Sequence, residues 1–278
     1  MGGIKLRIHP LFLVFGVFLF FTGQGVSFII YTLSALVHEI GHSITAGEIG
    51  YKLNRITLMP YGAIVSGDTD FFKPSDQLKI ALSGPAVNLL IALIFVAFWW
   101  IFPESYAFTD QVVMANFSIA LINFLPVFPL DGGRILYSLL AIKFNKKIAR
   151  IVSKTIGIIF AGLPLCAFVL TCFHKINLSL LFFGLFVIFG VFDKRPENAY
   201  VKAYTVLSVE KLKKGVPVKK TAVDDGVTVK KMISLLDNQA VNEIEVYSQG
   251  KKRATLSQER INGIIEKANL YDKIEKYC

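Results

Sequence analysis

Cysteine, histidine and acidic residues are all scarce in this chain of 278 residues. The three cysteines, Cys166, Cys172 and Cys278, have no metal-ligand spacing and cannot build a disulfide framework. Cys166 and Cys172 lie in an apolar run and read as packing residues. Histidine occurs only at positions 9, 38, 42 and 174, so a histidine-based metal site has few ligands to choose from. Asp and Glu total 20 against 30 Lys and Arg, a formal net charge of +10. A basic balance often signals nucleic acid. Arg-aromatic interleaving and nucleic-acid motifs are missing, however, which excludes that partner. The positive-inside bias of a membrane protein explains the charge more simply. A cleavable leader is also unsupported. Lys5 and Arg7 precede an apolar stretch, but no small-residue cleavage site follows, and cutting near Gly25 would leave His38 close to a new terminus.

What the chain has in excess is apolar residues, 54% of the total, with a mean hydropathy of +0.55. The long apolar runs end near residue 195. A membrane-embedded domain is therefore expected over 1–195, and a soluble cytoplasmic module over 196–278. Six spans are expected at about 8–22, 26–47, 78–102, 111–129, 153–173 and 176–192. The first is short for a bilayer, and Thr22-Gly23-Gln24-Gly25 makes the turn after it. Lys5, Arg7, Lys52, Arg55, Lys73, Lys79, the cluster from Arg134 to Lys154, Lys194 and Arg195 fall on one side of these spans. Only Lys175 falls on the other. Both termini are then cytoplasmic and the number of spans is even. The basic, amphipathic stretch from Arg134 to Lys154 is expected along the inner membrane surface.

Inside the second span lies Ala35-Leu36-Val37-His38-Glu39-Ile40-Gly41-His42-Ser43. Two histidines four apart share one helix face and can hold one metal ion. Glu39 beside them can serve as general base toward a water on that ion. Ionisable groups in an apolar span are costly, which favours a functional reading over packing. Glu39 lies about 12 Å from the cytoplasmic end of the span, at ~1.5 Å per residue. The site is therefore expected in the inner leaflet, open to water from the cytoplasm.

Two histidines do not complete a catalytic zinc site; a third protein ligand is needed. His174 falls on the outer side. His9 lies near the cytoplasmic end of the first span. Asp131 is the stronger candidate, because it is the only acid between Asp110 and Asp193 and it ends the fourth span at a matching depth. It stands in Asn123-Phe124-Leu125-Pro126-Val127-Phe128-Pro129-Leu130-Asp131-Gly132-Gly133, where prolines and glycines break the helix. The alternative is that Asp131 caps the helix that follows.

These residues, together with Ser83-Gly84-Pro85-Ala86-Val87-Asn88, resemble the site-2 protease family of intramembrane zinc metalloproteases. The resemblance implies zinc held by His38, His42 and Asp131, Glu39 activating water, and a membrane-associated protein as substrate. Six spans, the segment Leu58-Met59-Pro60-Tyr61-Gly62-Ala63 and a C-terminal module are similar to the sporulation stage IV protein FB subgroup. That likeness implies a sigma-factor precursor as substrate at a bacterial sporulation membrane. No PDZ-like stretch separates the spans.

Residues 52–66 read as a hairpin broken at Pro60-Tyr61-Gly62. It is either an ordinary surface hairpin or a strand edge that pairs with an extended substrate. The resemblance favours the second reading, with Pro60, Tyr61 and Gly62 at the substrate. It also implies that Asn123 helps hold substrate, where the bland reading is helix-to-helix hydrogen bonding. Gly84, Pro85 and Asn88 read as structural.

In the module, Thr228 to Asp237 reads as a helix, Asn242 to Tyr247 and Arg253 to Leu256 as strands about Gly250, and Ser257 to Ala268 as a capped helix. This order resembles a single CBS domain. The resemblance implies pairing across two copies of the chain and binding of ATP or another adenine nucleotide; a ligand-free tether is the alternative. The overall expectation is a polytopic α-helical membrane protein with a small β-hairpin and a soluble α+β CBS-like domain. Expected partners are the bilayer, a membrane-associated substrate, inhibitory membrane proteins and a second copy of the chain. The competing function is a membrane transporter or metal-handling protein with a CBS-type tail. The outer halves of the spans carry too few polar groups to line a path for it.

Overall fold

The structure is a computed structural model. It describes residues 5–59, 62–67, 72–144, 146–171, 177–192, 215–237 and 240–278. The chain divides into two compact units, Met1–Gly67 with Lys73–Lys194, and Asp68–Phe72 with Arg195–Cys278. The expected domain boundary at 195/196 lies outside the described residues, as do Pro60, Tyr61, Cys172, His174, Lys175, Lys194 and Arg195.

The first unit is built from helices α1 (Pro10–Phe21), α2 (Gly25–Ile49), α3 (Pro74–Ile101), α4 (Tyr106–Asn123), α5 (Asp131–Lys143), α6 (Lys146–Thr171) and α7 (Leu178–Phe192). Six of these stand where the six spans are expected. Two, over Pro74–Ile101 and Lys147–Thr171, are long and apolar enough to cross a membrane by themselves; α1 and α7 are apolar but shorter. Phe21, Trp100 and Phe108 are more than 80% exposed, giving these helices the apolar exterior that suits lipid contact.

Local sequence explains the helix ends. Pro10 sits in the first turn of α1, where its missing N–H costs nothing, and His9 caps it by accepting from Leu11 N through Nδ1 at 3.3 Å. Gly23, at φ +79°, turns the chain into α2. The fourth helix is displaced from the expected 111–129, beginning at Tyr106. α4 stops at Asn123, and residues 124–130 form an irregular segment carrying Pro126 and Pro129. The basic stretch from Arg134 to Lys154 is shared between α5 and the start of α6.

α3 packs against α2, α4 and α5 and so forms the centre of the unit. α6 and α7 pack together on a cluster of Val127, Ala161, Val187 and Val191. A three-stranded sheet, in the order β1 (Lys5–Ile8), β2 (Leu53–Met59), β3 (Gly62–Gly67), joins the helices. β2 and β3 form the expected antiparallel hairpin, with Leu58 opposite Ala63 and Met59 opposite Gly62. β1 is unforeseen; it runs parallel to β2, pairing Leu6 with Ile56 and Ile8 with Leu58.

The second unit runs β4 (Val218–Asp224), α8 (Val229–Leu235), β5 (Val241–Ser248), β6 (Lys251–Leu256) and α9 (Gln258–Lys267), then a short 3₁₀ turn at Ile274–Tyr277. β4 lies parallel to β5 and β6 antiparallel to it. Alternate β5 residues Asn242, Ile244 and Val246 are buried, as are Met232, Ile233, Leu256, Ile261 and Ile274 of the same unit. Gln249 and Gly250 both take positive φ, as a two-residue hairpin turn requires. Thr228 and Ser257 cap α8 and α9. β4 was not foreseen.

Candidate metal centre

His38 and His42 lie one turn apart on α2, and both are buried. Asp131, also buried, opens α5, and its carboxylate turns toward the imidazoles. Its Oδ2 lies 3.0 Å from His38 Nε2 and 2.9 Å from His42 Nε2, and the two Nε2 atoms are 3.2 Å apart. Three ligand atoms on one tetrahedral zinc, with bonds of about 2.0–2.1 Å, stand about 3.3–3.4 Å apart. The observed triangle is slightly tighter than that and needs only a small expansion.

The chemistry of the donors fits a cation. His38 Nδ1 lies 2.6 Å from Asn88 Oδ1, and His42 Nδ1 lies 2.6 Å from the Ile80 carbonyl. Both of those oxygens can only accept, so each Nδ1 carries the proton and each Nε2 presents a lone pair. Two lone pairs and a carboxylate oxygen then converge on one point, an arrangement that a metal ion satisfies. Arg134 Nη1 approaches the other carboxylate oxygen of Asp131 at 3.7 Å, leaving Oδ2 for the metal. Space for the rings comes from Gly84 of α3, beside which both imidazoles lie.

Glu39 is half-buried on α2 between the two histidines, and among the described residues it makes no hydrogen bond or ion pair. It is therefore free to take a proton. His9, the other sequence candidate for a ligand, is engaged in capping α1. Asn123 is half-buried, and its Nδ2 donates to Ile119 O in its own helix at 3.0 Å; it makes no hydrogen bond to the three ligands. Gly62 opens β3 opposite Met59.

The model of peptidase family M50 matches residues 26–112 and 103–166, which covers α2 through most of α6 and all three converging side chains. The chain belongs to peptidase family M50. Within known proteins, this M50 chain is 28% identical over 225 residues to the "Zinc metalloprotease MJ0392" of Methanocaldococcus jannaschii, covering 76% of the chain and 62% of that protein. It is 26% identical over 140 residues to "Stage IV sporulation protein FB" of Bacillus subtilis, covering 49% of the chain and 48% of that protein. The chain thus spans less than two thirds of the length of either relative. A solved structure of a site-2 protease from Methanocaldococcus jannaschii superposes with a TM-score of 0.52 and 28% identity, over 69% of this chain and 90% of that one.

Sequence reasoning gives Gly84 close packing or a kink and Asn88 a hydrogen bond across helices, and both hold in this M50 chain: Gly84 leaves room for the two imidazoles, and Asn88 bonds across helices to Asn116 and His38. What it misses is that one partner of Asn88 is a histidine of the site. Spacing could not reveal this, since Asn88 and His38 are 50 positions apart on different helices.

Proposed function

We propose that this chain is an intramembrane zinc endopeptidase. The observation that carries the reading is the meeting of His38 Nε2, His42 Nε2 and Asp131 Oδ2 beside an unpaired Glu39. A zinc ion held by His38, His42 and Asp131 would supply a Lewis acid, able to lower the pKa of a water to about 7 and to polarise a peptide carbonyl. Glu39 takes a proton from the attacking water on its carboxylate and delivers it to the leaving amine nitrogen. Asp131, held by Arg134, keeps its charge toward the site, and Asn88 and the Ile80 carbonyl fix the two imidazoles.

The substrate is a membrane-associated protein precursor cut on the cytoplasmic side. β3 is an edge strand of its sheet, so an unwound substrate segment can add to it by main-chain hydrogen bonds. In this reading Pro60, Tyr61 and Gly62 contact the substrate, and Asn123 is a further substrate contact. The further reading of a sigma-factor pro-sequence in sporulation rests on the likeness to the Bacillus subtilis protein. In this reading all six spans cross the membrane, both termini are cytoplasmic, and residues 196–278 form a regulatory CBS-like module that binds an adenine nucleotide. Inhibitory membrane proteins and a second copy of the chain are its other partners. The transporter reading is not favoured, given membership of a peptidase family.

The test is co-expression with a library of membrane-associated precursors, comparing the wild type with Glu39→Gln. Site-specific cleavage by the wild type alone supports the reading. Equal processing by both sinks it.

A further inference from the structure

Behind His38 a chain of buried amides crosses three helices. His38 Nδ1 donates to Asn88 Oδ1 at 2.6 Å. Asn88, on α3 and fully buried, donates through Nδ2 to Asn116 Oδ1 at 2.7 Å and to the Ser34 carbonyl at 3.2 Å. Asn116, on α4 and 2% exposed, donates through Nδ2 to the Val112 carbonyl at 2.9 Å and to Ser34 Oγ at 3.0 Å.

The direction of every bond follows from the two backbone carbonyls, which can only accept. Val112 O requires the NH₂ end of Asn116, so Asn116 Oδ1 faces Asn88. Ser34 O and Asn116 Oδ1 both require the NH₂ end of Asn88, so Asn88 Oδ1 faces His38. An amide oxygen cannot donate, hence the proton sits on His38 Nδ1 and the lone pair on Nε2. Flipping either amide would set acceptor against acceptor in a dry site, which is costly. His42 needs no such chain, because a main-chain carbonyl, Ile80 O, does the same for it directly.

We propose that Asn88, oriented by Asn116 and Ser34, is a positioning residue that fixes the tautomer of His38 and so sets the affinity of the metal site. The proposal rests on the zinc reading above and adds to it a role for residues that touch neither metal nor substrate. Partners that orient a metal-bound histidine typically contribute about 10–100-fold to metal affinity.

The experiment uses the full chain in detergent and measures zinc affinity by competition with a chelator. Asn88→Leu, similar in size but unable to accept, binds zinc about 10–100-fold more weakly. Asn88→Asp keeps an acceptor for Nδ1–H whether ionised or protonated, and recovers most of that loss. Asn116→Leu gives a smaller loss in the same direction. Unchanged affinity in Asn88→Leu overturns the proposal, and so does equal weakness of the Leu and Asp variants, which would mean mere packing. Independently of any variant's folding, ¹⁵N resonances of the zinc-loaded wild type should show His38 bound through Nε2 with the proton on Nδ1. Binding through Nδ1 overturns it. A wild type that binds no zinc at all would instead remove the metal reading on which this one stands.

Discussion

The imidazole of His42 occupies the volume that a side chain at Gly84 would fill. A Cβ on Gly84 would run into His42 Nε2, and it would lie 2.8 Å from His38 Nε2. The closest atom of each histidine, Nε2, is the one turned toward Asp131 Oδ2. Gly84→Ala should therefore act on the site more than on the fold. Overpacking typically costs about 1–3 kcal/mol, and here it falls on two ligands. Zinc occupancy of the purified variant should drop well below one ion per chain while its helical content is kept. Full occupancy would mean that α3 shifts aside without cost.

Glu39→Gln should keep zinc and lose cleavage. The amide is close in shape to the carboxylate but cannot take a proton. Loss of a general base typically slows such reactions about 10²–10⁴-fold. Metal analysis of the variant, alongside its cleavage rate, separates the roles; loss of zinc would make Glu39 a ligand instead.

Asp131→Ala should lose zinc, because only two of the three converging donors remain. Zinc retention at a chelator concentration that the wild type only just tolerates would return Asp131 to its alternative role as a helix cap. The observed geometry favours the ligand role, since Oδ2 faces both imidazoles.

The zinc-protease pattern and the scarcity of acids made the three converging side chains legible in advance. Where only one carboxylate exists between Asp110 and Asp193, few others can serve. The positions of the apolar helices were legible too, because their apolar runs are long. Less visible was whatever depends on pairing across distance. β1 has four residues, and only its alignment with β2, some fifty positions later, makes it a strand. β4 carries mostly exposed residues and reads as polar loop until paired with β5. The same holds for Asn88, whose partner His38 is on another helix. The family likeness reads Asn123 as a substrate contact; its Nδ2 also bonds back to Ile119 of its own helix, a local pairing that the four-residue spacing makes available.

The second unit should lose stability in acid. Asp225 is held below the usual carboxylate range by hydrogen bonds from Ser248 and Arg253, Glu245 by Lys252 and Tyr247, and Asp272 by Tyr277 and Lys276. A carboxylate whose folded pKa is depressed stabilises the fold fully above its unfolded value, about 4. That contribution fades as pH falls through the lower folded value. Hydrogen exchange at the β5 amides, corrected for intrinsic rates, should thus show less protection at pH 3 than at pH 6. Equal protection would mean that these exposed pairs contribute nothing.

The last prediction concerns residues 196–278. In the proposed topology the module follows the sixth span, so its cytoplasmic location matches that of the zinc entrance. A ligand bound by the module can alter how a cytoplasmic substrate segment is presented only if it binds two arrangements with different affinity. Such coupling is typically worth about 1–3 kcal/mol. Deleting residues 198–278 should then impair cleavage of a full-length substrate and leave zinc content unchanged, because His38, His42 and Asp131 all lie within the first unit. ATP added to the intact protein should change the cleavage rate, and calorimetry should register its binding. If millimolar ATP gives no heat and the truncated enzyme cleaves normally, the module is a tether and the zinc chemistry stands without it.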